Sequence, residues 1–558
     1  MKELFSLNED VLLLIIDCLL DKDVWLVALI VKYAYQLAIR RFFSTMKARI
    51  SGDSALQAME QALLAIPLLF HVPRVSYLRR LSISCGSASY RSFSTVFINF
   101  LPLLVNLERF EVNFDMEHFF AVCPQVAQAL NSLTGLRTLG IIGVGKRVLR
   151  WLDSYAGVAS VEYMGLSFRT GSWTETTDIA ATAMPAIPPP PPLATILGRF
   201  RFLRSLRLSI KDVVGGFVSE NRSRSLAIPA EETIPALRTI YIAFDIGSIS
   251  ALDLIPHCPN LSRLTYIVTG CPPLSQPTRA PWPLIKELHL SMFRRRCFAT
   301  LQPMPPIGRV HRLRIDHCLF DYDLDHLQRF LALLRTTQPS VINASGAPRG
   351  WTSAPLAIDV KWMTAIQSAC QVCLRSLDLT ITPTAVFQPT EIVGSLTGLR
   401  LIHLGATLAD RSSLGPGKLE LRVEEARVRA ARALPLLLVD ALPTLRVLRV
   451  GGMVPMLDAL AAEDADLHAR VRAGALGSLF PTNFEEQFEA RRNLRELAAV
   501  PMRDTRWWMV EHDGEKRRMV EVYSDVAERA RAVVESEEFD PGSVSWDVFF
   551  APRYVYQP

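Results

Sequence analysis

From about residue 75 onward the chain repeats one phrase, apolar-x-x-apolar-x-apolar. It reads Leu78, Leu81, Ile83, then Leu107, Phe110, Val112, then Leu136, Leu139, Ile141, with a weaker copy at Val158, Val161, Tyr163. It returns at Leu203/Leu206/Leu208, Leu237/Ile240/Ile242, Leu261/Leu264/Tyr266, Ile285/Leu288/Leu290 and Val310/Leu313/Ile315. Later copies are Leu374/Leu377/Leu379, Leu399/Ile402/Leu404 and Leu445/Leu448/Val450. The last two members of each copy alternate with polar residues, which predicts a short strand with one face inward. The first member turns the chain into that strand, and the rest of each unit returns as a helix or an irregular arm. One unit cannot bury its apolar face alone, so the units must stack into an α/β solenoid.

Most first members lie about 22 to 29 residues apart, a period and phrase that match a leucine-rich repeat and predict its horseshoe. Helical return arms are predicted over Phe119–Leu130, Asp323–Leu334 and Val360–Val372. Residues 418–434, 455–476 and 484–500 read as further helices. Insertions break the array at 169–192, 213–233 and 271–283. The first ends in Pro188 to Pro192, five prolines that favour an extended polyproline helix. It reads as a solvated loop, or as a ligand for an SH3 or WW module. Past about residue 478 the phrase fades. Trp507–Val510 and Met519–Val522 flank His512–Glu515 and predict a hairpin over 506–523. An acidic helix around Val526–Glu537 and an aromatic tail from Trp546 to Tyr556 follow. A terminal repeat exposes its last apolar surface. Residues 51–477 are therefore assigned to the irregular solenoid and 478–558 to its cap.

Residues 1–50 are different and do not recur. Ser6 and Glu9 have the spacing of a capping box, and Val11, Leu12, Ile15, Ile16 and Leu19 follow at helical intervals. Asp23 can cap a second helix with Val24, Val27, Ile30 and Val31, and Leu37 and Phe42 continue into a third short piece. Three short helices cannot bury an independent core. They must lean on a partner or on the domain that follows. The stretch Leu7-Asn8-Glu9-Asp10 with Leu12, Ile15 and Leu19, then Asp23-Val24 through Ile30-Val31-Lys32, resembles an F-box. Asn8 stands where that family has proline, Val31 where it has cysteine, and the late tryptophan is absent. Taken whole, the chain resembles fungal F-box proteins with degenerate leucine-rich repeats.

The resemblance implies a three-helix F-box-like module that binds the small adaptor of a cullin-type ubiquitin ligase. Leu7, Asn8, Val11, Leu12, Ile15, Leu19, Val24, Val27, Ile30, Val31 and Lys32 would make that contact. The repeats would hold an unidentified target protein, and partner subunits would supply the catalytic chemistry. The alternative is an interaction scaffold without a ligase role, whose helical start is only a cap.

Composition narrows the partners. The chain has 558 residues, 49% hydrophobic and 21% charged, with a net charge of +6. Arg and Lys are scattered, so nucleic acid is not an expected partner. Nine cysteines without a spacing pattern fit free thiols in a reducing interior, the cytoplasm or nucleus. No secretory signal is visible. The best candidate for a membrane span, Val11 to Val31, contains Asp17, Asp21, Lys22 and Asp23, so membrane insertion is not expected.

The search for catalytic chemistry returns near misses, and no cofactor, metal or catalytic residue is expected. Gly140-Ile-Ile-Gly-Val-Gly-Lys146 has phosphate-loop spacing, but Arg147 stands where Ser or Thr must follow, and Gly140 falls in a repeat strand. Cys370 and Cys373 form a single Cys-x-x-Cys on a helix, read as core. Asp321, Asp323 and Asp325 alternate like a calcium loop without its glycine or closing acid. Ser44 and Lys47 have the spacing of a serine/lysine dyad without its companions. One binding feature stands out. Arg follows the first apolar member at Arg79, Arg137, Arg204, Arg238, Arg375, Arg400 and Arg446. Stacking would align these into a column able to attract acidic or phosphorylated segments of a target. The plainer reading is that their stems cover apolar surface while their heads stay wet.

Overall fold

The computed structural model describes residues 8–19, 23, 24, 26, 38, 41, 44–50, 52–64, 74–85, 90–169, 191, 193–211, 233–244, 251–268, 282–292, 307–316, 324–344, 360–381, 388–408, 421–456, 484–513 and 516–550. They fall into two compact units, residues 1–261 with 270–283, and residues 262–269 with 284–558.

The first unit carries seven strands: β1 (Thr45–Ile50), β2 (Arg80–Cys85), β3 (Arg109–Asp115), β4 (Thr138–Val144), β5 (Tyr163–Arg169), β6 (Ser205–Lys211) and β7 (Thr239–Phe244). Each pairs in parallel with the next in chain order. Register places Met46, Leu81, Phe110, Leu139, Met164, Leu206 and Ile240 side by side, with Ala48, Ile83, Val112, Ile141, Leu166, Leu208 and Ile242 in a second row. Apart from half-buried Met46 and Ala48 on the edge strand, both rows are buried. Burying each such side chain contributes about 1.5–3 kcal/mol, which no single repeat could collect alone. Helix α1 (Glu9–Cys18) precedes the strands, and helices follow most of them: α2 (Asp53–Leu64), α3 (Tyr90–Phe100), α4 (Met116–Val122), α5 (Gln125–Leu130), α6 (Lys146–Ser154) and α7 (Leu193–Gly198). The single arm expected over Phe119–Leu130 is two helices, because Pro124 lacks the N–H needed to continue one.

The second unit has β8 (Arg263–Val268), β9 (Glu287–Met292), β10 (Arg312–Asp316), β11 (Val341–Ala344), β12 (Ser376–Ile381), β13 (His403–Leu408) and β14 (Val447–Gly451), all parallel and in chain order. Leu264, Leu288, Leu313, Ile342, Leu377, Leu404 and Leu448 form its buried row. The helices α8 (Leu324–Thr337), α9 (Val360–Cys370), α10 (Pro389–Leu396), α11 (Leu421–Ala441) and α12 (Phe484–Ala499) pack one against the next. The expected hairpin is present as β15 (Arg506–Asp513) and β16 (Lys516–Val522), and β15 closes on β14 in antiparallel pairing. Helix α13 (Ser524–Val534) follows. Each unit is thus a solenoid-like α/β stack.

Four details correct the sequence reading. The weak copy is Val161/Met164/Leu166, one step later than Val158/Val161/Tyr163, and Tyr163 is half exposed. The copy read as Leu399/Ile402/Leu404 is Leu401/Leu404/Ala406, because Leu377 pairs with Leu404. In both places two overlapping registers satisfy a loose apolar rule, and the ladder selects the one whose members all face inward. The long gap between Val310 and Leu374 hides β11, whose phrase starts on Pro339 rather than a leucine. Finally, β1 belongs to the sheet, so the leading helical stretch ends before Thr45 rather than at residue 50.

Candidate interaction faces of the strands

Residues between the buried rows point away from the core, because side chains alternate along a strand. The residue just before each strand holds the column position. Its carbonyl accepts backbone N–H groups from the next repeat. In the first unit the carbonyl of Arg79 accepts from Glu108 and Arg109, that of Glu108 from Arg137 and Thr138, and that of Arg137 from Glu162 and Tyr163. The carbonyl of Glu162 accepts from Arg204 and Ser205, and that of Arg204 from Arg238 and Thr239. The column therefore reads Arg79, Glu108, Arg137, Glu162, Arg204, Arg238. Acids interrupt it at Glu108 and Glu162, which a count of arginines alone did not show. Only Arg204 and Arg238 are consecutive arginines. Both are exposed, and together with Phe202 and Ala236 they line a cleft of about 370 Å³.

The same logic in the second unit gives Ser262, Lys286, His311, Ser340, Arg375, Ile402 and Arg446. Arg400 lies two residues outside the column, whose position is held by Ile402; the expected alignment of Arg400 fails with the shifted register. The chain itself covers the basic members. Lys286 Nζ meets Glu537 at 2.6 Å, and His311 Nε2 meets the Glu535 carbonyl at 2.8 Å. Arg375 donates to the Ser536 carbonyl and lies 5.3 Å over the Phe539 ring. Arg446 lies 5.8 Å over Trp546. The segment from α13 to Phe550 thus lies along this face as well as following the terminal hairpin. Phe539, Trp546, Phe549 and Phe550 pack against a cluster of Val447, Trp507, Met509, Val520, Val522, Ala527, Ala530 and Val534.

Beneath this segment sits a buried polar cluster. Asp378 on β12 takes Arg449 of β14 at 3.1 Å and Arg531 of α13. Arg531 Nε also donates to Glu535 at 2.7 Å, and Arg312 donates to Glu535 at 2.9 Å. Ser376 Oγ donates to Glu535 at 3.0 Å and so accepts from His403 Nδ1 at 2.9 Å. The His403 ring lies along Trp507, centroids 6.2 Å apart. Burial pushes the Asp378 carboxyl up, but His403, Arg449 and Arg531 together hold it below its ordinary range. Burial pushes the His403 imidazole down to about 4 against the pull of Asp378, so the ring is neutral at pH 7. Gly405, beside Asp378 on β13, has room for no side chain: a Cβ there would clash with the Asp378 carboxylate.

Asp378, His403 and Glu535 place three ligand atoms within 4.8 Å of one another. Guanidinium groups already neutralise both carboxylates, and an added cation would face Arg449 and Arg531 at contact range. The arrangement fits an ion-pair clasp holding α13 to the strands and does not fit a metal centre.

The leading helix keeps a small core apart from the main one: Leu12, Ile16, Val24 and Ala38, with Leu19 against it. Of the residues the F-box resemblance singles out, Leu12 and Val24 are inside this core, Ile15 and Leu19 are half-buried, and Asn8 and Val11 are exposed. Leu14 and Leu26, which the sequence reading did not select, are 66% and 59% exposed. Leu7, Val27, Ile30, Val31 and Lys32 lie outside the described residues, as does Ser6 of the capping box.

The glycine-rich stretch at Gly140–Lys146 does run from strand to helix, contrary to the sequence reading, since α6 starts at Lys146. Its helix N-terminus is filled. The Glu117 carboxylate accepts from the backbone N–H of Arg147 and Val148 at 3.0 Å, satisfying the donors a phosphate would use. Cys370 is buried and Cys373 half-buried at the end of α9. Of the alternating Asp321, Asp323 and Asp325, the first two lie outside the described residues, as does nearly all of the 169–192 insertion, and Asp325 falls in the first turn of α8. No helix among the described residues is long and apolar enough to cross a membrane.

Comparison with known proteins adds little. No family model matches the chain. No curated protein matches it either. Among solved structures, a structural-genomics crystal structure of a Bacteroides fragilis protein is similar over 67% of this chain and 76% of that one, at 10% identity and a TM-score of 0.25. A likeness at that level carries no argument about fold or activity.

Proposed function

We propose that the protein is a non-enzymatic recognition subunit, a leucine-rich-repeat horseshoe whose strand faces hold a target protein. One observation carries this reading. Each unit orders its parallel strands so that charged side chains recur at the equivalent position just before successive strands. The leading helix supports the more specific form, in which residues 1–44 dock the adaptor of a cullin-type ubiquitin ligase in the cytoplasm or nucleus. Its Leu12 and Ile16 share a separate small core with Val24 and Ala38, while Val11 and Leu14 on the helix and Leu26 beyond it are exposed. The test is co-purification of the adaptor with the full chain and with a chain lacking residues 1–44. Adaptor bound by the first and lost from the second supports the reading; equal recovery with both overturns it.

The burial of Leu12 and Val24 favours the second reading, a scaffold whose first helices only cap the stack. It predicts no adaptor in either preparation and loss of solubility on truncation.

A further inference from the structure

We propose that residues 536–550 are an autoinhibitory strap: they occupy the column of the second unit as a built-in ligand, and an acidic, aromatic-bearing segment of a partner protein displaces them. This rests on the reading of the strand faces as recognition surfaces, and deepens it by naming the face, its ligand chemistry and its control. The strap matches the column group by group. The Glu537 carboxylate meets Lys286 Nζ at 2.6 Å, and the Ser536 carbonyl accepts from Arg375. The Phe539 ring lies 5.3 Å from the same guanidinium, and the Trp546 ring 5.8 Å from that of Arg446. Phe539, Trp546, Phe549 and Phe550 cover the apolar cluster around Val447 and Trp507.

Two grades of contact hold this part of the chain. The anchor is the buried Glu535, which takes Ser376, Arg312 and Arg531, beside Asp378 with Arg449 and Arg531. Its carboxylates are out of water, so breaking any one of these pairs strands a buried charge. Beyond Glu535 the contacts change in kind. Lys286 and Glu537 are both about half exposed, and exposed ion pairs and cation–π contacts are individually weak. Ser536, Glu537, Glu538 and 540–543 face solvent. Among the described residues, the backbone N–H groups of the segment bond locally, Ser536 to Val533, Phe539 to Ser536, Ser543 to Asp540 and Phe550 to Asp547. None of these bonds joins it to a strand. A segment held by exposed side chains, without a backbone ladder, opens locally at small cost, whereas its anchor stays closed.

Lifting residues 536–550 uncovers Lys286, Arg375 and Arg446 together with the apolar cluster beneath the rings. A partner segment that displaces the strap must replace what it removes: a carboxylate for Lys286, a backbone carbonyl and a ring for Arg375, and a second ring near Arg446. A short stretch pairing carboxylates with aromatic side chains does so. An uncharged apolar helix does not, since it would cover the guanidinium groups without partners.

The probe is a fluorescein-labelled peptide of residues 535–546 of this chain, titrated into the full-length protein at low ionic strength and followed by anisotropy. The wild type should bind it weakly, because the tethered strap competes at the high effective concentration of an intramolecular ligand. Glu537→Gln with Phe539→Ala removes two strap contacts, leaves the Glu535 anchor in place, and should tighten binding at least about tenfold. Adding Lys286→Glu and Arg375→Glu to that variant should abolish the gain, whereas adding Arg79→Glu and Arg137→Glu in the first unit should not. Far-UV circular dichroism checks that each variant is folded. A second measurement needs no substitution: hydrogen exchange of the wild type, with peptide above its Kd, should rise over 536–550 and stay unchanged over 524–534.

Equal peptide affinity of the wild type and the Glu537/Phe539 variant overturns the proposal, as does binding that survives reversal of Lys286 and Arg375. Exchange over 536–550 that does not respond to bound peptide also overturns it. Self-association of the Glu537/Phe539 variant that vanishes on the column reversal would assign the face to a second copy of the chain and overturn the partner assignment. Adaptor co-purification with the same variant reads the proposed function separately, so failure of the strap and failure of the adaptor reading are told apart.

Discussion

Acidification from pH 7 to pH 5 should loosen the C-terminal segment of the second unit, and His403 sets the size of the effect. Its side chain is fully buried between Ser376, Trp507 and the clasp, and burial holds its pKa near 4 against an ordinary value of about 6.5. Between those two values the exposed ring takes a proton and the buried ring does not. Stability is therefore full above about pH 6.5 and falls as the pH drops toward 4. At about 1.4 kcal/mol per pH unit, the loss is about 2 kcal/mol at pH 5 and about 3 kcal/mol near pH 4. Asp378 works in a different window. Its pKa is depressed, so its contribution is present above the ordinary carboxylate value and is lost only on further acidification. The assay is urea unfolding at pH 7, 6 and 5, read by tryptophan emission, with hydrogen exchange over residues 524–550 corrected for intrinsic rate. The reference is His403→Gln, which keeps a polar side chain but cannot titrate. Groups elsewhere cancel in the difference between the two proteins. Parallel pH profiles for the wild type and His403→Gln would refute the assignment.

Two further outcomes concern the same clasp. Arg531→Met leaves Asp378 with Arg449 as its remaining guanidinium partner and strips Glu535 of its i,i+4 cation; it should cost about 3–5 kcal/mol in the unfolding free energy obtained from urea denaturation, because the carboxylates stay buried. Gly405→Ala forces its new methyl into Asp378 and should lower stability by about 1–3 kcal/mol or more, measured by thermal denaturation, whereas Gly394→Ala on helix α10, where a Cβ meets nothing within 4 Å, should not destabilise.

The ladder of strands was legible because one rule, three apolar positions at fixed offsets, governs what faces the core. The rule is loose about register, and that is where the reading slipped. Val161 and Leu404 each fit two overlapping phrases, and only the pairing of neighbouring strands separates them. β11 was invisible because Pro339 opens its phrase and Ala344 closes it, residues too small or too constrained to register as leucine substitutes. The clasp was beyond reach for another reason. Asp378 and Arg531 are ordinary polar residues in ordinary places, on a strand and on a surface-patterned helix. Their meeting depends on the path of the chain after the hairpin, which no local periodicity encodes. The hairpin and the acidic helix were both readable, but not the face on which the helix would settle.

The placement of acids explains why the two units treat their arginines differently. Neighbouring parallel strands lie about 4.8 Å apart, so like charges at successive column positions repel unless something negative stands close by. In the first unit, Glu108 and Glu162 meet this requirement within the column itself. In the second unit the column offers Lys286, His311, Arg375 and Arg446 with no acid among them, and the negative groups arrive instead from the tail, at Glu535 and Glu537. The tail is thus the electrostatic complement of that column, and Phe539 and Trp546 add rings where guanidinium groups present their faces.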